Sequence, residues 1–579
     1  MNLLGTFLLA SCFCACAWGF VVPKTAAGKP RGWNFTTPSS QVKSNILNRS
    51  TKSIRYHLSS DGYSPTNTAA ELDTLRNAFA QWQAIPGTHL RFEDAGLIAP
   101  GVDINTADGT NLVYWTKSTT VVNGGRDDMS GTLALTYTKY TAENEIIEAD
   151  IVFNGHDYQW FTDSSDSANT NYFVEAIALH EIGHFLGLNH SPLGGATMLQ
   201  RGARGLNTQA SLSTDEIAFA KSRYGTTGLA DTLSGITGVV SLAGVPQYGA
   251  VVIAYDAHGR AVSGTVTITG GSYELPGLPP GNYSVQCTPL DPSNLANRLV
   301  QGADISGEYS TPDTQFLPSS PVSVTALAGA TSTLNIPVQA GNPVRFAGIR
   351  PATTTPNFFS FRNTPAVLQV GQSNQTIGIY STGLSPTAVL QISGDGISFG
   401  PTTYTASPFG SSLRLVSITL SVDATAEPGM RSFMVTQNGE TTYGNGFLDI
   451  QPLTRDDNYD GLNDAFQRKY FSLWTGANAA PEADPDHDGF SNLQEYVAGT
   501  VPTNASSLLR IESIRQTLSD TTITWQSGAG SKYHVLSQSD LAPASWQTNA
   551  TVNGREGLTT YTESSGGGLT KFYRVVAIP

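Results

Sequence analysis

At 579 residues the chain is several times longer than a single hydrophobic core requires, and about four domains are expected at roughly 150 residues each. Charged residues make up only 13% and there are 58 glycines, a balance typical of extracellular β-sandwiches joined by turns. The formal net charge of −14 excludes a protein that binds nucleic-acid phosphates through a basic surface, and it favours cations as ligands.

The N-terminus predicts export. Residues 3–22 are apolar with a short core, so we interpret residues 1–17 as a cleaved secretory signal peptide. Residues 9–12 also resemble a lipoprotein box, which would instead place a lipid anchor on Cys12. Three of the four cysteines lie in this signal, so the mature chain keeps only Cys287 and forms no intramolecular disulfide. We expect a secreted or surface-tethered protein, because no later stretch reaches the roughly 18 apolar residues of a membrane span.

The next part of the chain predicts a sheet that carries helices. Residues 18–51 form an N-terminal segment, which we interpret as a candidate short propeptide. Thr68 followed by Glu71 predicts a capping box that opens a helix, and Pro86 ends it. Short β-type runs then predict strands over residues 90–92, 111–115, 133–137 and 147–153.

Three of the nine histidines fall within eleven residues, in the pattern H-E-x-x-H-x-x-G-x-x-H. The preceding residues 172–179 have helical periodicity, which places His180 and His184 one turn apart on the same face. Gly187 allows the chain to leave the helix and turn back, so that His190 can supply a third ligand. The pattern therefore predicts a zinc site.

Three neutral imidazoles leave one coordination position open, which is typical of a catalytic zinc. Glu181 lies beside the first ligand and is not needed to hold the metal. We interpret it as the general base that takes a proton from the metal-activated water and later delivers it to the leaving amine. The alternative is a vestigial zinc domain in a non-catalytic extracellular adhesion or matrix-binding protein.

These residues resemble the metzincin metalloproteases and, within them, the matrixins. Met198 is similar to the Met-turn that supports the zinc site in that family, and residues 133–135 resemble the edge strand on which matrixins lay an extended peptide. The tentative substrate-binding residues are Leu133, Ala134 and Leu135. The resemblance covers residues 52–227 and implies one zinc, because Leu135 stands where many matrixins have a histidine for a second one.

Two all-β modules are predicted to follow. Residues 233–340 contain turn-punctuated apolar runs and resemble the carboxypeptidase regulatory-like domain, a spacer or folding partner in many proteins. Residues 342–452 contain another set of short strands and resemble an immunoglobulin-like domain.

Residues 455–504 carry patterned acidic residues that predict calcium binding. Asp484, Asp486, Asp488 and Glu495 fit a loop in which alternate carboxylates and a twelfth-position glutamate surround the ion. A partial second copy, with Gln467 at the twelfth position, contains Asp456, Asn458, Asp460 and Asp464. The pair resembles calcium-binding repeats of secreted bacterial proteins, and a merely solvated acidic linker is the alternative.

Residues 507–579 alternate again and resemble a fibronectin-type or immunoglobulin-like terminal module. The expected fold is therefore multidomain: an α+β metzincin-like domain with a twisted sheet and helices, then all-β sandwich modules and a small calcium-binding segment. The expected function is a secreted zinc-dependent endopeptidase that cleaves extracellular proteins. We expect a monomer that can attach to a cell surface or matrix through its C-terminal modules and that binds no nucleic acid.

Overall fold

A computed structural model describes residues 21–25, 28–166, 168–202, 204–205, 209–293, 298–355, 359–539, 546–564 and 570–579. The signal peptide expected at residues 1–17, with Cys12, lies outside these residues. The chain forms two compact units, Met1–Leu453 and Thr454–Pro579. No helix in the described ranges is both long and apolar enough to cross a membrane.

The N-terminal domain combines a mostly parallel sheet with three helices. In chain order its elements are β1 (Leu47–Asn48), β2 (Ser53–Ser59), α1 (Thr68–Ala84), β3 (Phe92–Ile98), β4 (Leu112–Thr116), β5 (Val121–Val122), β6 (Asp127–Asp128), β7 (Ala134–Tyr140), β8 (Ile146–Asn154), β9 (Trp160–Phe161), β10 (Tyr172–Phe173), α2 (Val174–Phe185) and α3 (Thr214–Tyr224). A 3₁₀ turn at Leu229–Asp231 follows.

The main sheet has the order β1-β2-β4-β8-β7, and β3 also pairs with β2. β2, β3, β4 and β8 pair in parallel, whereas β7 runs antiparallel to β8 and ends the sheet. α1 and α2 pack together against the sheet, and the indole nitrogen of Trp82 donates to the carbonyl of Leu179 at 3.0 Å. The predicted sheet therefore leaves β7 as a free edge beside α2.

The predicted capping box at Thr68 is wrong. α1 begins at Thr68, but its N-cap is Asn67, whose side chain makes no capping hydrogen bond. The carboxylate of Glu71 turns back to the preceding loop instead, where it accepts from the backbone nitrogens of Tyr63 at 2.7 Å and Ser64 at 3.0 Å. The Glu71 carboxylate thus binds the loop just before the helix instead of the N-cap residue.

The N-terminal segment is built into this domain. Trp33 is 1% exposed, and its indole nitrogen donates to the carbonyl of Phe185 at 2.9 Å, at the end of α2. Its backbone nitrogen donates to the Tyr224 hydroxyl. Further buried residues of the same segment in this core are Phe35, Val42, Ile46 and Leu47. The segment thus contributes to the core of this domain, and the interpretation of residues 18–51 as a possible short propeptide stays a prediction.

The second module is a two-sheet β structure with one short helix. Its elements are β11 (Ser234–Leu242), β12 (Val245–Pro246), β13 (Ala250–Tyr255), β14 (Ala261–Val266), β15 (Ser272–Leu278), β16 (Gly281–Pro289), α4 (Gly302–Ile305), a 3₁₀ turn at Gly307–Tyr309, β17 (Val322–Ala326), β18 (Thr331–Thr333) and β19 (Ile336–Val338). One sheet is β12-β11-β15, with β18 and β19 also on β11, and the other is β14-β13-β16-β17. Cys287 is buried between them as a free thiol.

The third module is also a two-sheet structure. Its elements are β20 (Gly348–Thr353), β21 (Ala366–Gln369), β22 (Gln375–Ser381), β23 (Val389–Ile392), β24 (Ile397–Phe399), β25 (Thr403–Ala406), β26 (Arg414–Val422), β27 (Gly429–Gln437) and β28 (Glu440–Gln451). The sheets are β20-β22-β26-β24, with β25 on β26, and β21-β28-β27-β23. All three domains described so far belong to the first compact unit.

The second compact unit joins the acidic segment to a small β module. Its elements are α5 (Asp464–Tyr470), a 3₁₀ turn at Ala477–Ala479, α6 (Asn492–Ala498), β29 (Ile511–Gln516), β30 (Asp520–Ser527), β31 (Lys532–Gln538), β32 (Gln547–Asn553), β33 (Gly557–Ser564) and β34 (Phe572–Ile578). The two three-stranded sheets, β29-β30-β33 and β32-β31-β34, enclose Trp525 and Tyr533.

Candidate metal centre and active-site cleft

The three motif histidines meet at one point. α2 carries His180 and His184 on one face, and Gly187 turns the chain back with a φ of +105°. A Cβ at Gly187 would lie 2.9 Å from the carbonyl oxygen of Arg31, so both the backbone angle and the close approach require glycine. Each histidine offers a ring nitrogen within 4.8 Å of the other two, and the Nε2 atoms of His184 and His190 are 3.2 Å apart.

The hydrogen bonds and pKa values of the three histidines favour metal binding over protonation. The Nδ1 atoms of His180 and His184 face the carbonyls of Thr197 at 2.8 Å and Leu188 at 2.7 Å, which leaves the Nε2 lone pairs free. Burial, with the nearby His184, lowers the pKa of His180 to about 3, and burial lowers the pKa of His184 and His190 as well. Three neutral imidazoles with free lone pairs fit the donor set of a catalytic zinc.

Glu181 is buried beside the histidines, with 4% of its surface exposed. Burial raises the pKa of its carboxyl to about 7, against the opposing hydrogen bond from Thr136. The Thr136 hydroxyl donates to the Oε2 of Glu181 at 2.6 Å and lies on β7, the edge strand. Sequence reasoning missed Thr136. The signal was available in the strand alternation, because the residue two positions after Ala134 faces the same side of the sheet.

Met198 lies beneath α2 and is 1% exposed. Its sulfur would lie 2.2 Å from a Cβ placed on Gly183, so the absence of a side chain there lets the methionine pack against the helix. The backbone nitrogen of Met198 donates to Glu216 at 2.9 Å, and its carbonyl accepts from the nitrogen of Ser191 at 2.8 Å. The Met198 turn is thus tied to α3 and to the residue after His190.

A cavity of about 620 Å³ opens in front of the histidines. Leu133, Ala134 and Leu135, the expected substrate-binding residues, line one side of it at the start of β7. Leu199 and Arg201 line the wall that follows the Met198 turn. Within the described part of the chain, the groups of three or more side chains that could hold a metal are the histidine triad and one aspartate triad.

The aspartate triad is the complete acidic loop predicted near the C-terminus. Asp484, Asp486 and Asp488 offer carboxylate oxygens within 4.8 Å of one another. Glu495 is 1% exposed, and its Oε1 accepts from the Thr500 hydroxyl, while Oε2 has no hydrogen-bond partner among the described residues. Burial, together with the three aspartates, raises the pKa of Glu495 to about 7. Three converging carboxylates and a buried, unpartnered glutamate oxygen from the same loop fit a divalent cation.

The partial loop is not assembled in the same way. The Asp460 carboxylate accepts from the side-chain amides of Asn458 at 2.8 Å and Gln467 at 2.7 Å, and Asp456 accepts from the backbone nitrogen of Asp460. Asp464 pairs instead with Asp457, which adds to burial in raising the pKa of Asp464 to about 8. The expected set Asp456, Asn458, Asp460 and Asp464 stays a prediction, since the Oδ1 of Asp464 and the Oε1 of Gln467 are buried without a hydrogen-bond partner among the described residues.

Residues 48–225 match the family model for matrixin, a peptidase family. No curated protein matches the chain. Among solved structures, the major pilin subunit BcpA of Bacillus cereus is 9% identical and covers 60% of this chain and 95% of its own, with a TM-score of 0.15. A fragment of titin is 10% identical over 56% of this chain and 82% of its own, with a TM-score of 0.13. These two scores are too low to support an argument about fold or function.

Proposed function

We propose, from the matrixin-type metzincin domain that residues 48–225 form, that this protein is a zinc-dependent endopeptidase. The observation that carries the proposal is the buried carboxyl of Glu181 beside the three convergent imidazoles, at the floor of an open cleft. His180, His184 and His190 would hold the ion. When bound, zinc supplies a Lewis acid that polarises a peptide carbonyl and activates water.

The residues of the chain supply the rest of the chemistry. A carboxyl with a pKa of about 7 can both accept and return a proton near neutral pH, which suits Glu181 as general base and then general acid. The Thr136 hydroxyl holds that carboxylate in place with its hydrogen bond of 2.6 Å.

The free edge of β7 supports binding of an extended peptide. β7 pairs with β8 on one side and ends the sheet on the other, so its outer backbone groups can receive an added strand along the cleft. An added strand is bound mainly through backbone hydrogen bonds rather than through its side chains. Such binding fits an endopeptidase that acts on unfolded or extended segments of proteins. No observation favours the alternative of a non-catalytic binder.

We further propose that the loop of Asp484, Asp486, Asp488 and Glu495 binds calcium, on the support of its unpartnered buried oxygens. Export through residues 1–17 and a monomeric state remain proposals, as does attachment to a cell surface or matrix through the C-terminal modules.

The test is proteolysis by the purified full chain on a denatured protein substrate. Glu181→Ala is expected to lower the rate about 10²- to 10⁴-fold while zinc stays bound, because a general base contributes on that order. Glu143→Ala, on an exposed turn, is the matched control and should retain activity. A zinc-selective chelator should abolish cleavage. Stoichiometric zinc binding without cleavage of any substrate would contradict the proposal.

A further inference from the structure

The wall of the cleft that follows Met198 is embedded in the sandwich modules. Leu199 is 2% exposed and belongs to the hydrophobic core of the third module, together with Phe447. In the preceding loop, the backbone nitrogen of Gly194 donates to the carbonyl of Asn445 in the third module at 2.9 Å. The position of this wall therefore depends on contacts with distant parts of the chain.

Arg201, on the same wall, is held by both modules. Its Nη2 donates to both carboxylate oxygens of Asp304 in the second module, at 3.2 and 2.9 Å. Its Nη1 donates at 3.1 Å to the side-chain oxygen of Asn363 in the third module, in the amide orientation that also places the Asn363 nitrogen on the carbonyl of Ala347. The guanidinium group, which lines the cavity, is therefore fixed in direction.

The Asp304 carboxylate is set in place by its own module. Its Oδ2 also accepts from the backbone nitrogen of Gln301 at 2.9 Å, and the side chain is only 13% exposed. A Cβ on Gly302 would lie 1.6 Å from the carbonyl oxygen of Tyr309, so a side chain there would displace α4. Because α4 packs at this depth, it presents the carboxylate to Arg201 as a preorganised partner.

Much of the remaining cavity wall is apolar or aromatic. The lining includes Leu133, Ile177, Leu199, Tyr158 and Tyr172. Among the described residues, the lining side chains with a permanent positive charge are Arg31 and Arg201. The guanidinium group of Arg31 lies over the ring of Tyr140, 3.7 Å from its centre. The charge of Arg201 is offset by the carboxylate of Asp304 at 2.9 Å, because opposite charges this close largely cancel at longer range.

We propose that the second module takes part in substrate selection: the Asp304 carboxylate fixes Arg201 and offsets its charge, so that the cleft accepts an uncharged side chain beside the scissile bond. Asp304 is then a positioning residue for specificity, and the module is part of the substrate site rather than a spacer. Without the carboxylate, Arg201 would present an unpaired cation to the cavity and attract an acidic side chain. The proposal rests on the proposed endopeptidase function and names the class of side chain that its cleft selects.

Two peptides of one sequence, with glutamine or glutamate beside the cleaved bond, test this selection. The zinc-loaded full chain is expected to cleave the glutamine peptide at least as fast as the glutamate peptide. Asp304→Asn keeps the size of the side chain and an oxygen that can accept from Gln301, but it removes the charge. In this variant the ratio of kcat/KM for glutamate over glutamine should rise about tenfold. A ratio taken within one variant does not depend on how much of that variant is folded.

Asp256→Asn is the matched control. Asp256 also forms an ion pair within the second module, with Arg260 at 2.6 Å and 15% exposure, and it does not line the cavity. This variant should leave the ratio unchanged. Arg201→Gln combined with Asp304→Asn removes both charges, so the ratio should return to within about twofold of that of the unmodified chain.

Four results would overturn the proposal. They are an unchanged ratio in Asp304→Asn, an equal rise in Asp256→Asn, a raised ratio that persists in the double variant, and a preference of the unmodified chain for the glutamate peptide.

Binding of the same peptides separates this proposal from the endopeptidase proposal. Fluorescence anisotropy gives their Kd values for the zinc-loaded full chain carrying Glu181→Ala, with and without Asp304→Asn. The ratio of the two Kd values should shift about tenfold in favour of glutamate when Asp304→Asn is added. If no form of the protein cleaves either peptide and this shift is present, the endopeptidase proposal fails and the role of Asp304 stands. No shift, or no binding of either peptide, would overturn the role of Asp304 whether or not cleavage occurs.

Discussion

The hydroxyl of Thr136 and the carboxylate of Glu181 come from positions 45 residues apart, yet they form the shortest polar contact that Glu181 makes. The zinc motif itself is local, because His180, Glu181 and His184 share one helix. The hydroxyl that holds the Glu181 carboxylate, from Thr136, lies on a different element, the strand β7. A carboxylate buried to 4% exposure with one hydrogen-bond donor depends heavily on that donor, since a charged group gains more from such a bond than a neutral one.

Thr136→Val should therefore lower kcat/KM roughly tenfold or more, because it removes a hydrogen bond to a charged group and leaves the volume nearly unchanged. Steady-state kinetics on a peptide substrate measure the effect. Thr136→Ser, which keeps the hydroxyl, should restore most of the activity. Equal losses in both variants would mean that the strand position, not the hydroxyl, matters.

At the scale of elements, the two acidic loops have similar patterns and different structures. In the complete loop the carboxylates of three aspartates converge, and a buried oxygen of Glu495 has no hydrogen-bond partner among the described residues. In the partial loop, the side-chain amides of Asn458 and Gln467 donate to the carboxylate of Asp460. The twelfth position of the partial loop is Gln467, whose neutral amide offers a weaker ligand than the glutamate carboxylate of the complete loop, so we expect calcium to bind at the complete loop.

Calcium is expected to stabilise the unit Thr454–Pro579 through the complete loop alone. At a concentration about 100 times the dissociation constant, the gain in unfolding free energy is about 2.7 kcal/mol. Thermal unfolding with calcium or with a calcium chelator measures it. Glu495→Gln should abolish the difference, whereas Asp456→Asn should retain it. A chain whose melting does not respond to calcium would contradict the site.

At the scale of the whole molecule, the first unit joins the N-terminal domain to two sandwich modules through one shared apolar cluster. Leu193, between His190 and Met198, is fully buried there with residues of both modules. The module residues in that cluster include Val251, Ile253, Tyr255, Ala261 and Met430. A loop of the metal centre is thus part of a core that three domains share.

Leu193→Ala should lower the unfolding free energy of this unit by about 2 to 5 kcal/mol, as large-to-small changes in a packed core do. Calorimetry of the full chain would show the N-terminal domain and both modules melting earlier, together. Leu327→Ala, at a residue 61% exposed in the second module, is the control. A shift confined to the N-terminal domain would show that the modules fold independently of it.

The sequence by itself determined the chemistry of the site. The spacing of His180, Glu181, His184 and His190 follows from helix geometry and one glycine turn, so a linear pattern suffices to predict the ligand set and the base. Strands were predicted close to β4, β7 and β8, whereas β2 was missed and the run over residues 90–92 meets β3 only at Phe92. The convergence of Asp484, Asp486 and Asp488 also follows from residues close together in the chain.

Tertiary structure alone decided what surrounds those residues. Trp33 at the carbonyl of Phe185, Thr136 on Glu181 and Arg201 on Asp304 all join positions far apart in the chain. No periodicity records such contacts, since they arise when separate elements pack and their buried polar groups must find partners. The sequence pattern predicts the metal ligands, and the packing of separate elements decides which neighbouring groups hold those ligands and the base in place.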